Sequence, residues 1–125
     1  ILNLLADLQE KEGLTYLFIT HDLGVVRYVA ARVAVMYLGR IVETGPTERI
    51  FTAPRHPYTK ALLGSVPSLD PDQRSTRPAI LGDIPSPERP PPRCAVRLAR
   101  CDRDDPPVVS FPDGICRCVL AQSSR

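Results

Sequence analysis

Residues 32–43 read RVAVMYLGRIVE and carry the clearest structural signal in the chain. Two runs rich in β-branched and other apolar residues flank Gly39-Arg40, a two-residue loop with glycine first, which is typical of a type II′ turn between antiparallel strands. The stretch therefore predicts a β-hairpin whose strands are Arg32–Leu38 and Ile41–Glu43.

The segment before the hairpin changes from a helical to a strand pattern and back, as in an α/β unit. Residues 1–12 place their large apolar side chains on one stripe and are followed by Gly13, which predicts an amphipathic helix with a left-handed cap. Leu14–Thr20 is a near-continuous apolar and β-branched run, which predicts a strand covered on both faces in a parallel sheet. Asp22 then stands where it can cap a second helix over 23–30.

A polar pair, His21 and Asp22, follows directly on the predicted strand. In open α/β sheets, ligands bind at the carboxyl ends of the strands. From the residues alone, a single histidine at such an end is more often a hydrogen-bonded structural group than a catalyst, and Asp22 is better explained as a helix cap.

Proline divides the chain, since all fourteen prolines lie at Pro46 or beyond it. Pro46 and Pro57 each suit the start of a helix, which predicts a short helix over 47–51 and another that stops before Pro67. Prolines then interrupt every regular period as far as Pro112, so an extended segment with turns is predicted there.

The composition is that of one ordinary globular domain, with 43% apolar and 24% charged residues in 125. A formal net charge of +2 is too small to indicate nucleic acid or a membrane surface. No apolar run approaches the roughly 20 residues that span a bilayer, and no signal peptide is evident. We expect a cytosolic chain and, because Met36 is its only methionine, a piece of a longer protein.

Three segments, Tyr16–Leu23, Val35–Gly45 and His56–Leu63, resemble the ATP-binding subunits of oligopeptide and dipeptide ABC transporters. Gly82–Pro87, with the proline-rich and cysteine-containing sequence after it, resembles the C-terminal extension of the peptide-transporter branch of that family. Together these motifs cover nearly the whole chain and are far more specific than Thr-His-Asp alone.

The resemblance implies an α/β fold in two parts. Residues 1–52 correspond to the C-terminal part of an ABC nucleotide-binding domain, and residues 53–125 to a proline-rich extension with short helices and four cysteines. The complete subunit would use ATP and Mg²⁺ to energise peptide transport, paired with a second ATP-binding subunit beneath two membrane permease subunits. A peptide-binding protein would deliver the substrate. The resemblance thus implies a cytoplasmic protein, peripheral on the inner face of the cell membrane.

Several motifs of that family are missing from these 125 residues. No Gly-x-x-x-x-Gly-Lys-[Ser/Thr] phosphate loop occurs, although its backbone amides and lysine would hold the β- and γ-phosphates. The signature motif and the acidic Walker B strand are missing too and are expected before Ile1. We therefore do not expect this chain alone to bind or hydrolyse ATP.

The resemblance gives His21 a role that its position alone does not. The matching histidine of the family is the switch-loop residue, which reaches the γ-phosphate and helps to position the attacking water, so His21 is the candidate catalytic and nucleotide-contacting residue. An imidazole suits this task because phosphoryl transfer depends on positioning and charge stabilisation. His56 lies before a proline and suits the start of a helix, in which Tyr58 and Leu62 are expected to face the core.

The cysteines are candidate metal ligands, because clustered thiolates in the cytosol hold zinc or iron–sulfur centres more often than they form disulfides. The four are Cys94, Cys101, Cys116 and Cys118. Family members that this chain resembles can carry a [4Fe–4S] site in the extension; Cys94, Cys101 and Cys118 match its first, second and last cysteines, whereas its third cysteine has no match. Cys116 could substitute chemically, and free thiols in a degenerate extension are the alternative.

Two other functions remain open at this point: a small metal- or redox-responsive module built on the cysteines, and a non-functional truncated product. Nucleic acid is not an expected partner, because the arginines between Arg89 and Arg103 have no aromatic residues among them to stack on bases. A solvated or subunit-facing surface is the expected use of those arginines.

Overall fold

The computed structural model describes residues 1–65, 94, 96, 98–102 and 105–124 of the chain. Four α-helices and four strands occur there, with two 3₁₀ turns. In chain order they are α1 (Leu2–Glu12), α2 (Leu23–Val29), β1 (Arg32–Tyr37), β2 (Arg40–Pro46), α3 (Thr47–Thr52), α4 (Pro57–Gly64), a 3₁₀ turn (Ala99–Asp102), β3 (Val108–Phe111), β4 (Gly114–Arg117) and a second 3₁₀ turn (Val119–Ser124). The proline-rich segment predicted between the two halves falls largely outside the described residues.

The strands form one antiparallel sheet in the order β1-β2-β4-β3. Each outer pair is a hairpin, and the two hairpins meet where Glu43 on β2 lies opposite Cys116 on β4. The sheet therefore joins residues that lie far apart in the chain, and it is the central element of a mixed α/β fold.

The predicted hairpin is present, but its turn lies one residue earlier than the sequence indicated. Leu38 and Gly39 form the turn with φ angles of 49° and 74°, so both have the positive φ of a type I′ turn. Arg40 is paired with Tyr37 and begins β2. The type I′ turn suits the right-handed twist of the strands, and a bulge between Val35 and Met36 absorbs the change in register.

The predicted helices are confirmed together with their caps. Helix α1 ends at Gly13, whose φ of 64° is left-handed. The Asp22 carboxylate accepts hydrogen bonds from the backbone N–H groups of Gly24 and Val25, at 2.9 and 3.1 Å, and so starts α2. Pro57 occupies the first turn of α4 as predicted.

The buried strand predicted over Leu14–Thr20 is not formed. These residues pair with no strand in the described part of the chain, and Leu17 and Ile19 are 90% and 95% exposed. A strand of a parallel sheet depends on neighbouring strands for its hydrogen bonds and on covering helices for its burial. Its apolar sequence alone cannot replace those neighbours.

Two apolar clusters hold the described residues together. One contains Val35, Val42 and Ile50, and Tyr58 and Leu62 pack against it, which confirms their predicted inward position. The second lies under the other hairpin and contains Val109, Cys116 and Ala121, with Phe111 and Cys118 against it. Among the described helices, none has the length and apolar character needed to cross a bilayer.

Candidate functional site

His21 lies in a short segment whose backbone is fixed by its neighbours. The N–H of Asp22 donates to the Thr20 hydroxyl at 3.0 Å, and the Asp22 carboxylate caps α2. These contacts involve the residues on either side of His21. The His21 side chain itself is exposed. In the described parts of the chain the imidazole has no hydrogen-bond or ion-pair partner.

A second group of polar residues lies at the junction of the two hairpins and centres on Glu43, which is fully buried. One carboxylate oxygen, Oε1, accepts from the Arg49 guanidinium and from the Arg55 backbone N–H at 2.8 Å. The other oxygen, Oε2, accepts from the His56 backbone N–H at 2.9 Å. A buried carboxylate with this many donors can remain ionised.

The pKa of Glu43 shows the balance of these effects. Burial raises it, but the hydrogen bonds from Arg55, Thr59, His56 and Arg49 outweigh burial, so the pKa lies below its usual value. The Thr59 hydroxyl contributes without meeting the geometry of a full hydrogen bond. Glu43 is consequently a fixed negative charge that anchors the loop before α4.

Asp113, in the turn between β3 and β4, forms ion pairs with the same two arginines, Arg49 and Arg55. Its carboxylate oxygens lie 3.0 Å from Arg49 Nε and 2.8 Å from Arg55 Nη1. The hydrogen bond from Arg55 is the main reason that the pKa of Asp113 is lowered. The Arg32 guanidinium adds a hydrogen bond to the Asp113 backbone carbonyl at 3.1 Å.

We call Glu43, Arg49, Arg55 and Asp113 the hairpin clamp, because they connect β2 and the residues after it to the β3–β4 turn. Two close backbone approaches accompany the clamp. A Cβ at Gly45 would lie 2.2 Å from Arg49 Nη2, and one at Gly114 would lie 2.0 Å from the Thr44 carbonyl oxygen. Glycine at both positions lets the guanidinium and β4 lie against β2.

His56 belongs to this structural group and not to a catalytic pair. Its Nδ1 accepts from the Tyr58 backbone N–H at 3.1 Å, which makes the imidazole the N-cap of α4. Burial is the main reason that its pKa is lowered, against the opposing effects of Glu43 and of a hydrogen bond with the Arg117 backbone. The ring is therefore neutral at pH 7 and acts as a cap, as its position before Pro57 predicted.

The comparisons with known proteins show the family to which the chain belongs. Residues 42–106, 65 of the 125, match the family described as oligopeptide/dipeptide transporter, C-terminal region. The chain belongs to this family. A dipeptide transport ATP-binding protein of Escherichia coli is 55% identical over 103 residues, which cover 82% of this chain and 30% of that protein.

Two further relatives give the same result over more of the chain. A probable peptide ABC transporter ATP-binding protein of Sinorhizobium fredii is 48% identical over 120 residues, 91% of this chain and 34% of its own length. A dipeptide transport ATP-binding protein of Haemophilus influenzae is 48% identical over 120 residues, 91% of this chain and 37% of its own length. The chain thus spans about a third of the length of these relatives.

The four cysteines of this transporter C-terminal region are all described, and none forms a disulfide. Cys116 is fully buried, and burial, with the nearby Glu43 and Cys118, raises the pKa of its thiol to about 12. Among the described residues, no three His, Cys, Asp or Glu side chains form a group that could hold a metal ion. The structure gives the iron–sulfur prediction and the rival metal-module function no support.

The sequence predicts His21 and the four cysteines as site residues and His56 as the start of a helix, but it does not indicate the hairpin clamp. The sequence pattern places Glu43 only at the end of a strand, and neither Arg49 nor Asp113 stands in a recognisable motif. The Arg55–Asp113 contact joins residues 58 positions apart, so no local spacing reveals it. The only available hint was a carboxylate in an otherwise apolar strand, which requires a buried partner.

Proposed function

We propose that this chain is the C-terminal portion of an ATP-binding subunit of a dipeptide or oligopeptide ABC transporter, and that the complete subunit couples ATP hydrolysis to peptide transport. The observation that carries the proposal is the 55% identity with a dipeptide transport ATP-binding protein over 82% of the chain. The complete subunit uses ATP with Mg²⁺ bound at a phosphate loop that these 125 residues do not contain.

His21 is the proposed catalytic residue of this portion. Its backbone is held by the Thr20 and Asp22 contacts, and its imidazole is exposed and has no partner in the described residues. A side chain in this state can donate a hydrogen bond to a γ-phosphate oxygen when a nucleotide site closes over it. We expect it to contribute to turnover and little to nucleotide affinity.

The proposed setting is a pair of ATP-binding subunits beneath two membrane permease subunits, on the cytoplasmic face of the membrane. Of these 125 residues, 1–52 belong to the ATPase domain and 53–125 to the extension of the peptide-transporter branch. Pairing of β2 with β4 supports a packed extension in which the last strands return to the ATPase portion.

Uptake of a radiolabelled dipeptide tests the proposal in cells. Deletion of the gene for the complete subunit should abolish uptake, and the wild-type gene should restore it. The Lys11→Ala variant changes an exposed residue of α1 and should restore uptake equally. His21→Ala, expressed to the same level, should not. Uptake of dipeptides and longer peptides that is unaffected by the deletion would exclude this function.

A further inference from the structure

Cys116 occupies a position that a core residue normally takes. It is fully buried on β4, where it lies opposite Val109 of β3 and Glu43 of β2. Its side chain packs with Val109 and Ala121, and Phe111 lies against the same cluster. Cys116 is therefore surrounded by the second apolar cluster of the fold.

Burial of this kind conflicts with the ligand set that a four-cysteine cluster needs. A [4Fe–4S] centre is held by four thiolates that converge on one group of iron atoms. Among the described residues, which include all four cysteines, not even three potential ligands come together. To reach a cluster, Cys116 would have to leave the sheet and open the packing of Val109 and Ala121.

Cys118 does not relieve this conflict. It follows the end of β4 and packs, half-buried, against the cluster that contains Cys116. Even if Cys118 turned outward to bind a metal, Cys116 would remain between β2 and β3 and could not join it. The residues present do not fit a four-cysteine iron–sulfur centre.

We propose that Cys116 is a structural residue that seats the β3–β4 hairpin on β2, and that it is not a metal ligand. Three cysteines then remain, one fewer than a four-cysteine cluster requires. This inference concerns the fold of the C-terminal residues and does not depend on the proposed role of His21.

Iron and sulfide analysis of the complete protein, purified without oxygen, tests the proposal. The Cys116→Val variant replaces the thiol by an apolar side chain that the second apolar cluster of the fold can accommodate. We expect neither wild type nor Cys116→Val to contain close to four irons and four acid-labile sulfides per chain, and the two proteins should show the same absorbance near 400 nm. Four irons per wild-type chain that are lost in a folded Cys116→Val variant would overturn the proposal.

Alkylation of the native wild-type protein gives a second measurement that needs no variant. After treatment with a chelator, iodoacetamide should modify Cys101 and Cys118, which are partly exposed, more than about tenfold faster than Cys116. In denaturant the rates should become similar. If chelation made Cys116 react as fast as Cys101 in the folded protein, its protection would come from a metal, and the proposal would fail.

Discussion

At the scale of single residues, Glu43 is a fully buried charge that connects β2 to Arg49 and to the loop before α4. The Glu43→Gln variant would remove the negative charge from Arg49 and place an amide group among N–H donors. Arg49 keeps its ion pair with Asp113, but the new amide group leaves a buried N–H donor without an acceptor, so we expect a loss of about 1–3 kcal/mol in the free energy of unfolding. Denaturant unfolding followed by circular dichroism measures this loss.

The matched control is Glu48→Gln, since Glu48 is exposed in the first turn of α3. Its effect should remain within about 0.5 kcal/mol, as is usual for surface substitutions. Equal losses in the two variants would show that Glu43 does not have the structural role assigned to it.

His56 should make stability depend on pH near neutrality. Its pKa is lowered in the folded chain, so as pH falls below 6.5, the ordinary value for histidine, the unfolded chain binds the proton first. Stability is therefore complete above that pH and decreases as pH falls toward the folded pKa. Unfolding curves at pH 7.5 and 5.5 should differ in the wild-type chain and differ less in His56→Asn, which retains a capping group but does not titrate.

As pH falls further, protonation of the two carboxylates of the hairpin clamp should lower the free energy of unfolding a second time. The pKa values of Glu43 and Asp113 are lowered, so their stabilisation is present above the ordinary values of 4.5 and 3.8 and is lost as pH falls through the lower pKa values of the folded chain. A chain whose stability rose between pH 7.5 and 5.5 would contradict the assignment of His56 as a neutral cap.

At the scale of elements, the β3–β4 hairpin is held to β2 through Asp113. In Asp113→Asn the ion pairs with Arg49 and Arg55 are lost, although the turn can still form. The amides of Ile115 and Cys116 should then exchange with solvent severalfold faster, because the hairpin separates more often from β2. Hydrogen exchange measured at single residues tests this.

Asp105→Asn is the control for that experiment. Asp105 is also a carboxylate beside β3, but its side chain is 62% exposed, and it pairs at the surface with Arg40 and, at 3.6 Å, with Arg117 of β4. Exposed pairs of this kind contribute little, so exchange of the β4 amides should not change. Faster exchange in both variants would mean that general charge, and not the clamp, holds the hairpin.

The elements also show what sequence could predict and what it could not. Local rules were sufficient for the Asp22 cap, the helix begun by Pro57 and the existence of the first hairpin, because each depends on neighbouring residues. The turn at Leu38 and Gly39 was displaced by one residue, since a glycine can occupy either turn position. The β2–β4 pairing and the hairpin clamp connect distant residues, so no local pattern contains them.

At the scale of the whole molecule, the N-terminal third of the chain exposes much apolar surface. Ile1, Leu17 and Ile19 are at least 90% exposed, and Leu4 and Tyr28 are more than half exposed. Large exposed apolar patches promote association. We expect the isolated 125-residue chain to bind a hydrophobic dye and to self-associate in sedimentation experiments.

A Leu17→Lys/Ile19→Lys double variant should reduce both dye binding and self-association. Lys11 and Lys60 are already polar and exposed, so their replacement by alanine should reduce neither. A wild-type chain that remained monomeric, bound no dye and unfolded cooperatively at high temperature would show that this surface is covered in a way that the described residues do not reveal.

The proposed role of His21 is tested most directly by the ATPase activity of the complete subunit that carries His21→Ala. If the imidazole stabilises charge that develops at the γ-phosphate, turnover should fall about tenfold to a thousandfold, or about 1.4–4 kcal/mol in transition-state stabilisation. Nucleotide affinity should change little, because the phosphate loop supplies most ground-state binding. His56→Asn, at the chain's other histidine, should retain turnover. Unchanged turnover in a well-folded His21→Ala variant would contradict the proposal that His21 is a catalytic residue.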